Sequence, residues 1–262
     1  MCSSDLVVEL LEWKSDIEAA DEEGCTPRHL ASWAGHLEVV REVVRRGAKV
    51  RAEATFGFTP LHTASVFGHV EVARFLLESG ADIEAKCNNG VTPLYSASKE
   101  GKFEFVQLLV ARGAVVDARI EDAITPLMIS SEKGHAPVVR ELLAAGADVN
   151  ARASDGLDGL TALHWASQGG HIEVLRELLK HDPNVNAQDN DGDTPLVYAC
   201  LFGHLMAATA LIGLGADVNL LNNAGQSALW RAKNKAPVAG APAAEKKAHK
   251  ALVALLEARM SA

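Results

Sequence analysis

Thr59-Pro60-Leu61-His62 is the stretch that decides the fold, because near copies of it return along the whole chain. The copies share a threonine or serine at their first position and are Thr26-Pro27-Arg28-His29, Thr92-Pro93-Leu94-Tyr95, Thr125-Pro126-Leu127-Met128, Thr161-Ala162-Leu163-His164, Thr194-Pro195-Leu196-Val197 and Ser227-Ala228-Leu229-Trp230. Their starts, at positions 26, 59, 92, 125, 161, 194 and 227, are separated by 33, 33, 33, 36, 33 and 33 residues. A period of this length predicts stacked structural repeats, each burying its faces against its neighbours.

The residues around the second copy predict two helices and a turn. Thr59 suits the helix N-cap, and Pro60 suits the first helical position, where its missing N–H is tolerated. The first helix is expected to end near Gly68, and residues 70–77 are apolar at helical spacing. Gly80 then supplies a left-handed stop before an extended hairpin.

Over residues 15 to 232 the motif and its period resemble the ankyrin-repeat family. The resemblance implies an all-α solenoid of helix-turn-helix plus β-hairpin units, with about six full repeats between partial caps. It also implies that a partner binds the hairpin tips and the concave face made by the first helices. We predict a single domain over 1–262 with a cap half-repeat at 1–20, repeats at 21–53, 54–86, 87–119, 120–152, 153–188 and 189–221, and a capping repeat at 222–262.

The ends and two irregular sites carry further predictions. Residues 4–13 are expected to form the second helix of the N-terminal cap. A Pro/Ala/Gly-rich loop is expected at 236–242, and a closing amphipathic helix at 245–260. Three extra residues lengthen the hairpin 153–160, and insertions of this kind map to loops that often bind partners. Ala123 stands where most other turns have glycine, so a positive φ there would cost about 1 kcal/mol.

Composition excludes several classes of function. A net charge of −9 over 262 residues argues against a general nucleic-acid binder. No run approaches the roughly 18 apolar residues that cross a bilayer, and acidic Asp5, Glu9 and Glu12 do not fit a signal peptide. We therefore expect a monomeric protein of the cytoplasm or nucleus, or a fragment of a larger chain, without membrane insertion.

The cysteines and histidines follow the repeat rather than a chemical site. Cys2, Cys25, Cys87 and Cys200 show no zinc-ligand spacing and are expected to be free, with Cys25 and Cys87 exposed in turns and Cys200 buried. Eight of the ten histidines recur in register and are expected to hydrogen-bond the backbone of adjacent repeats: His29, His36, His62, His69, His135, His164, His171 and His204. No catalytic or phosphate-binding motif is present. We predict no catalytic residue, no metal and no cofactor.

Candidate binding residues are those that the repeat leaves free, namely the hairpin tips and the two positions before each inter-helix glycine. The main set is expected to gather on the concave side of repeats 1 and 2 and comprises Trp33, Phe56, Phe58, Val66 and Phe67. A second set comprises Trp165, Leu201 and Phe202, and the long hairpin adds Leu157 and Leu160. The alternative is that these side chains pack between repeats and are mostly buried.

Charge is unevenly distributed between the two ends. Residues 1–24 hold eight carboxylates against one lysine, a net charge of −7, and residues 231–250 hold six bases against one acid, a net charge of +5. One interpretation is that charged caps keep the ends soluble. The other is that the acidic end attracts a basic partner.

Together these features predict a non-catalytic protein–protein interaction module, an adaptor or scaffold that holds another protein. One alternative is a regulatory or targeting domain of a larger enzyme. A further alternative is a substrate of an asparaginyl hydroxylase. The contexts Leu142 to Asp148-Val149-Asn150 and Leu211 to Asp217-Val218-Asn219 resemble the sites that such enzymes modify in ankyrin repeats.

Overall fold

The computed structural model describes residues 16–234 and 243–260, which form 14 α-helices joined by turns. The predicted cap helix 4–13 and the predicted loop 236–242 lie outside these residues. The chain divides into two compact units, Met1–Glu121 and Asp122–Ala262, and each is described by itself.

Three helix pairs make up the described part of the first unit. The helices are α1 (Pro27–Ala34), α2 (Leu37–Arg45), α3 (Pro60–Phe67), α4 (Val70–Glu78), α5 (Pro93–Lys99) and α6 (Phe103–Ala111). The first helices of the pairs pack in the order α1, α3, α5, and the second helices pack in the order α2, α4, α6. This arrangement buries one face of every helix against the neighbouring repeat.

The second unit repeats the arrangement with four pairs. Its helices are α7 (Pro126–Glu132), α8 (Ala136–Ala144), α9 (Ala162–Gly169), α10 (Ile172–Leu178), α11 (Pro195–Phe202), α12 (Leu205–Gly213), α13 (Ala228–Asn234) and α14 (Ala243–Met260). The closing helix α14 matches the helix predicted at 245–260, and it buries Leu252 and Leu256 against α12 and α13.

Each first helix begins as the motif predicts. Thr59 has extended backbone, and its hydroxyl oxygen accepts the backbone N–H of His62, while Pro60 occupies the first helical position. At the other end Gly68 adopts φ +79°, which closes the helix. These local preferences need no tertiary contact, which is why the sequence predicts the helix boundaries closely.

Six of the eight recurring histidines hydrogen-bond the backbone of a neighbouring repeat, as predicted. Nε2 of His62 donates to the carbonyl of Val91 at 2.9 Å, and Nε2 of His69 donates to that of Trp33 at 3.0 Å. Four more make the same kind of bond and are His29, His164, His171 and His204. Gly35 is required here, since a Cβ at this position would lie 2.5 Å from the His69 ring.

The segments between repeats are turns rather than the predicted β-hairpins, and the described residues contain no strand. Most are closed by single backbone bonds, such as Ala54 N to Phe58 O at 2.8 Å. The tip of one turn then bonds the next, as in Asn88 N to Phe56 O at 2.8 Å. Backbone N–H and C=O groups that could pair within a β-hairpin therefore form hydrogen bonds to the neighbouring turn instead.

Two irregular turns have the geometry that their sequences suggested. Ala123 adopts φ +56°, so the alanine occupies a left-handed conformation that favours glycine. In the longer turn the backbone N–H of Ala153 donates to the carbonyl of Leu160 at 2.9 Å, which closes the three-residue insertion into a compact loop.

Candidate protein-interaction surface

Four large apolar side chains are exposed on the first two helix pairs. Leu30 is 50% exposed, Trp33 56%, Phe56 68% and Phe67 43%. Residues at the position of Leu30 in later repeats, Thr63, Ser96, Ile129, Trp165 and Tyr198, are half-buried or buried. Leu30 is therefore exposed because its helix belongs to the first described pair, whereas the equivalent helix position is less exposed in the later repeats.

Trp33 and Phe67 form one aromatic contact. Their ring centroids are 5.6 Å apart at an interplanar angle of 76°, an edge-to-face geometry. Phe67 also stacks on His69, whose Nε2 holds the Trp33 carbonyl. The exposed rings are thus fixed in position by contacts between adjacent repeats, and little side-chain entropy remains to be lost on binding.

Three adjoining depressions run beside these rings. The first, of about 330 Å³, lies along α1 and is lined by Pro27, Leu30, Ala31, Trp33, Ala34, His36 and Val39. The second, of about 270 Å³, shares Leu30 and Trp33 with the first, and the third, of about 370 Å³, shares Glu23, Cys25 and Thr63 with the second and reaches Phe56 and Phe58. Because they share lining residues, we treat the three as one surface, the α1–α3 groove.

Phe56 is held in a strained backbone conformation. It has φ +66° and is followed by Gly57 at φ +77°. Asp122 and Asp158 occupy the same position in later repeats and also have positive φ, but aspartate tolerates this region far better than phenylalanine. The backbone strain at Phe56 costs free energy on folding, and the mostly exposed ring offsets little of that cost by burial. Backbone strain of this kind clusters at functional sites.

The other predicted residues of the main set are less exposed. Phe58 is half-buried, and its ring lies edge-on to His62 with centroids 5.5 Å apart. Val66 is also half-buried. Both border the exposed rings. The alternative that these side chains pack between repeats and are mostly buried is wrong for Trp33 and Phe56, and it holds in part for Phe58, Val66 and Phe67.

In the second unit the predicted residues do not form a comparable surface. Phe202 is exposed, and Leu201, Leu157 and Trp165 are half-buried. Leu160 is only 6% exposed, so its inclusion among the partner-binding residues was wrong. The insertion folds back through its bond to Ala153 and places Leu160 in the core.

A hydrogen-bonded polar network lies beside these residues. The Tyr198 hydroxyl donates to the Asp189 carboxylate at 2.9 Å, while Asn222 and Arg231 donate to the two carboxylate oxygens of Asp193 at 2.6 and 2.8 Å. Burial, and then the hydrogen bond to Asp189, raise the pKa of Tyr198 above its ordinary value. These groups bind one another, so their role is to hold successive turns in place.

The cysteines divide between the groove and the core. Cys87 is 8% exposed, so its prediction as an exposed thiol was wrong, whereas Cys200 is buried as predicted and burial raises its pKa to about 12. Cys25 is half-buried and lines the α1–α3 groove. Partial burial, with Asp21 and Glu23 nearby, raises the pKa of its thiol. The three described cysteines are free thiols.

The two predicted hydroxylation sites are exposed on the turns of the second unit. The side-chain oxygen of Asn150 accepts the backbone N–H of Asn184 at 2.7 Å. The backbone N–H of Asn219 donates to Asp217 at 2.8 Å. Modification of these residues stays a prediction. It is tested by co-expression with an asparaginyl hydroxylase and a search by mass spectrometry for the added oxygen atom.

The burial of Arg28 was not predicted from the sequence, although arginine there replaces the leucine of the other motif copies. Leucine occupies the position in all six other copies, and Arg28 is as buried as five of those leucines, Leu61, Leu94, Leu127, Leu163 and Leu196. Its three guanidinium nitrogens have no hydrogen-bond partner among the described residues, and a carboxylate oxygen of Glu18 lies 3.9 Å away. Burial lowers the pKa of Arg28, with Glu18 opposing the effect.

A metal site and a membrane-spanning helix are both absent from the part of the chain that the structure describes. Over residues 16–234 and 243–260, no group of three or more His, Cys, Asp or Glu side chains is arranged to hold a metal ion. No helix within those limits combines the length and apolar character needed to span a membrane.

Comparison with known proteins agrees with the repeat geometry. The family described as "Ankyrin repeats (3 copies)" matches residues 1–87, 83–153 and 127–222. Among solved structures, the chain is similar to the human ASB11 ankyrin repeat domain, with 25% identity and a TM-score of 0.75 over 87% of this chain and 98% of that one. A comparison with curated protein sequences gave no match.

The chain belongs to the ankyrin-repeat family. The predicted all-α ankyrin solenoid is thereby confirmed. Ankyrin repeats are generally protein-interaction modules and are typically non-catalytic.

Proposed function

We propose that this chain is a protein-recognition module, an adaptor or scaffold, that binds a partner protein through the α1–α3 groove. The observation that carries the proposal is the exposure of Trp33, Phe56 and Phe67, with Phe56 in a left-handed conformation. Exposed apolar clusters often mark interaction sites, and aromatic side chains dominate the energetics of protein interfaces.

The rigidity of the site also supports this function. The Trp33 ring contacts Phe67, and the Trp33 carbonyl is held by His69. A preformed apolar surface loses less conformational freedom on binding than a mobile loop does. The second unit offers a smaller candidate around Phe202, which would serve if the chain brings two proteins together.

The test is capture of partner proteins from a cell lysate with the full chain and two triple variants. The first variant carries Trp33→Ala, Phe56→Ala and Phe67→Ala. The control variant carries Met206→Ala, Leu214→Ala and Leu221→Ala, three side chains in the second unit that are similarly exposed. Circular dichroism establishes that both variants are folded.

We expect a defined set of proteins to be lost with the first variant and retained with the control. Binding is then confirmed with the purified partner. Retention of all captured proteins by a folded first variant contradicts the proposal. Loss with the control alone would move the binding surface to the second unit.

The alternative of a regulatory or targeting domain requires the same surface to bind another segment of a larger enzyme. In that case the captured protein would be the enzyme's own catalytic part. Assay of that enzyme with and without the Trp33→Ala variant distinguishes regulation from simple attachment.

A further inference from the structure

We infer that the occupant of the α1–α3 groove is a segment of a partner protein that carries an apolar side chain next to lysine or arginine. This inference rests on the proposed function and specifies the chemistry of the partner.

The first argument is the charge of the groove. Asp21 and Glu23 line it together with the apolar side chains, and no lysine or arginine is among the described residues that line the three depressions. The depression elsewhere in this unit, near Arg51 and Lys86, is by contrast lined by charges of both signs. The α1–α3 groove thus combines apolar walls with charge of one sign.

The second argument is that the structure fixes these acids beside the rings. The Asp21 carboxylate accepts the backbone N–H groups of Glu23 and Cys25 at 3.0 and 2.8 Å, which shapes the turn before α1. The Glu23 carbonyl accepts the backbone N–H of Thr55 at 2.9 Å and also the Thr55 hydroxyl. Glu23 is thereby held next to the turn that presents Phe56.

The third argument is that the carboxylates of Asp21 and Glu23 also shift the pKa of the Cys25 thiol. It lies on the groove wall, where burial, Asp21 and Glu23 all disfavour its thiolate. Burial disfavours a charge of either sign, but Asp21 and Glu23 disfavour only an anion, and the same two carboxylates would attract a cation at this position.

Lysine and arginine satisfy both features of the groove. Their aliphatic stems pack along apolar walls while the charged end reaches a carboxylate. Their cationic groups are also attracted to the face of an aromatic ring, tryptophan most strongly. An adjacent leucine, isoleucine or aromatic side chain would fill the depression along α1 between Leu30 and Trp33.

The test uses three pools of short synthetic peptides of equal length, labelled with fluorescein. Each pool varies two anchor positions among leucine, isoleucine, phenylalanine and tryptophan. The remaining positions are lysine and serine in the first pool, glutamate and serine in the second, and serine alone in the third. Binding to the full chain is measured by fluorescence polarisation at low and high salt.

We expect the lysine pool to bind about tenfold more tightly than the glutamate pool at low salt, with a smaller ratio at high salt. Glu23→Gln should reduce that ratio by about threefold. The matched control Glu22→Gln, an exposed neighbour outside the groove lining, should change it less. Trp33→Ala should weaken all three pools, since it removes the shared apolar contact.

Binding in the groove is measured by the rate of alkylation of the Cys25 thiol. The protein carries Cys2→Ser, and Cys87 and Cys200 are buried, so Cys25 is the thiol that alkylation reports. The lysine pool should slow alkylation of Cys25. Unchanged alkylation at saturating peptide would place the peptide elsewhere and overturn the inference.

Three other results also overturn it. If the lysine and glutamate pools bind equally and both need Trp33, the groove binds proteins as proposed but the charge preference is wrong. If instead the protein forms a dimer in sedimentation, and the dimer is lost with Lys246→Glu or Lys247→Glu, the occupant is the basic closing helix of a second copy. Absence of Trp33-dependent peptide binding rejects the inference alone, since the lysate experiment decides the proposed function separately.

Discussion

Replacing Arg28 by leucine is expected to raise the free energy of unfolding of the first unit. The guanidinium is fully buried, without a hydrogen-bond partner within residues 16–234 and 243–260, and the Glu18 carboxylate attracts it from 3.9 Å. Leucine fits the same position in neighbouring repeats, where Leu61 and Leu94 are each 1% exposed. The substitution therefore restores the side chain that the repeat accommodates.

The magnitude follows from two opposing effects. Removing a buried ion from water carries a penalty of several kcal/mol, and replacing a buried ion pair with well-packed apolar side chains often stabilises a protein by about 1–4 kcal/mol. The attraction to Glu18 offsets part of the penalty, but that carboxylate is about one-third exposed and therefore screened. We expect a net gain of about 2–3 kcal/mol for Arg28→Leu.

Urea unfolding followed by circular dichroism measures the change, and hydrogen exchange over α1 and α2 assigns it to the first repeat. Arg28→Met is the second variant, because methionine keeps a long unbranched side chain without the charge and leaves a smaller cavity. Leu61→Met is the matched control for the effect of methionine at this position. Glu18→Gln should change stability by less than about 1 kcal/mol, as expected for a partly exposed ion pair.

A loss of stability in both Arg28→Leu and Arg28→Met would refute this reasoning. It would mean that the guanidinium is paired with a group outside residues 16–234 and 243–260. Stabilisation by Arg28→Leu with destabilisation by Leu61→Met would be consistent with it.

Three further changes test other features. Phe56→Asn should raise the free energy of unfolding by about 1 kcal/mol, because asparagine tolerates a positive φ, and it should also weaken partner capture. A lower urea midpoint in this variant would show that the Phe56 ring packs more than its exposure indicates. Ala123→Gly should add about 1 kcal/mol by the same measurement, and no change would mean that the turn relaxes without strain. Burial lowers the pKa of His164 from 6.5 to about 4. The contribution of neutral His164 to the free energy of unfolding is therefore fully present above pH 6.5 and is lost as the pH falls toward 4. His164→Gln should therefore flatten the decline of the urea midpoint over that range, and an equally steep decline in the variant would assign it to other groups.

The elements that the sequence predicts well depend on local chemistry. Thr59, Pro60 and Gly68 set the start and end of α3 through capping and a left-handed stop, and these preferences act within one turn of helix. Ala123 was identified as strained because one position in a regular series departed from glycine. Exposure of Trp33 and Phe67 was predictable because the repeat leaves their positions free.

The features that the sequence did not predict depend on how turns bond one another. Leu160 directly precedes Thr161, as Phe58 precedes Thr59, and its carbonyl closes its turn with the same bond that Phe58 makes to Ala54. The prediction instead treated Leu160 as part of an exposed longer loop. The β-hairpins are absent from the described residues because turn tips such as Phe56 and Asn88 bond across repeats. Cys87 is buried for a related reason, since its turn lies against the preceding one.

The histidine bonds also bear on how such a chain can change in length. His62 reaches forward to the carbonyl of Val91, and His69 reaches back to that of Trp33, so a repeat is joined to both neighbours by the same donors and acceptors. The next repeat has Tyr95 and Lys102 at these two positions, so the bonds are not made by every repeat. Where both histidines are present, a segment of one full period can be duplicated in register without leaving either junction unmatched, and its exposed side chains are then repeated along the stack.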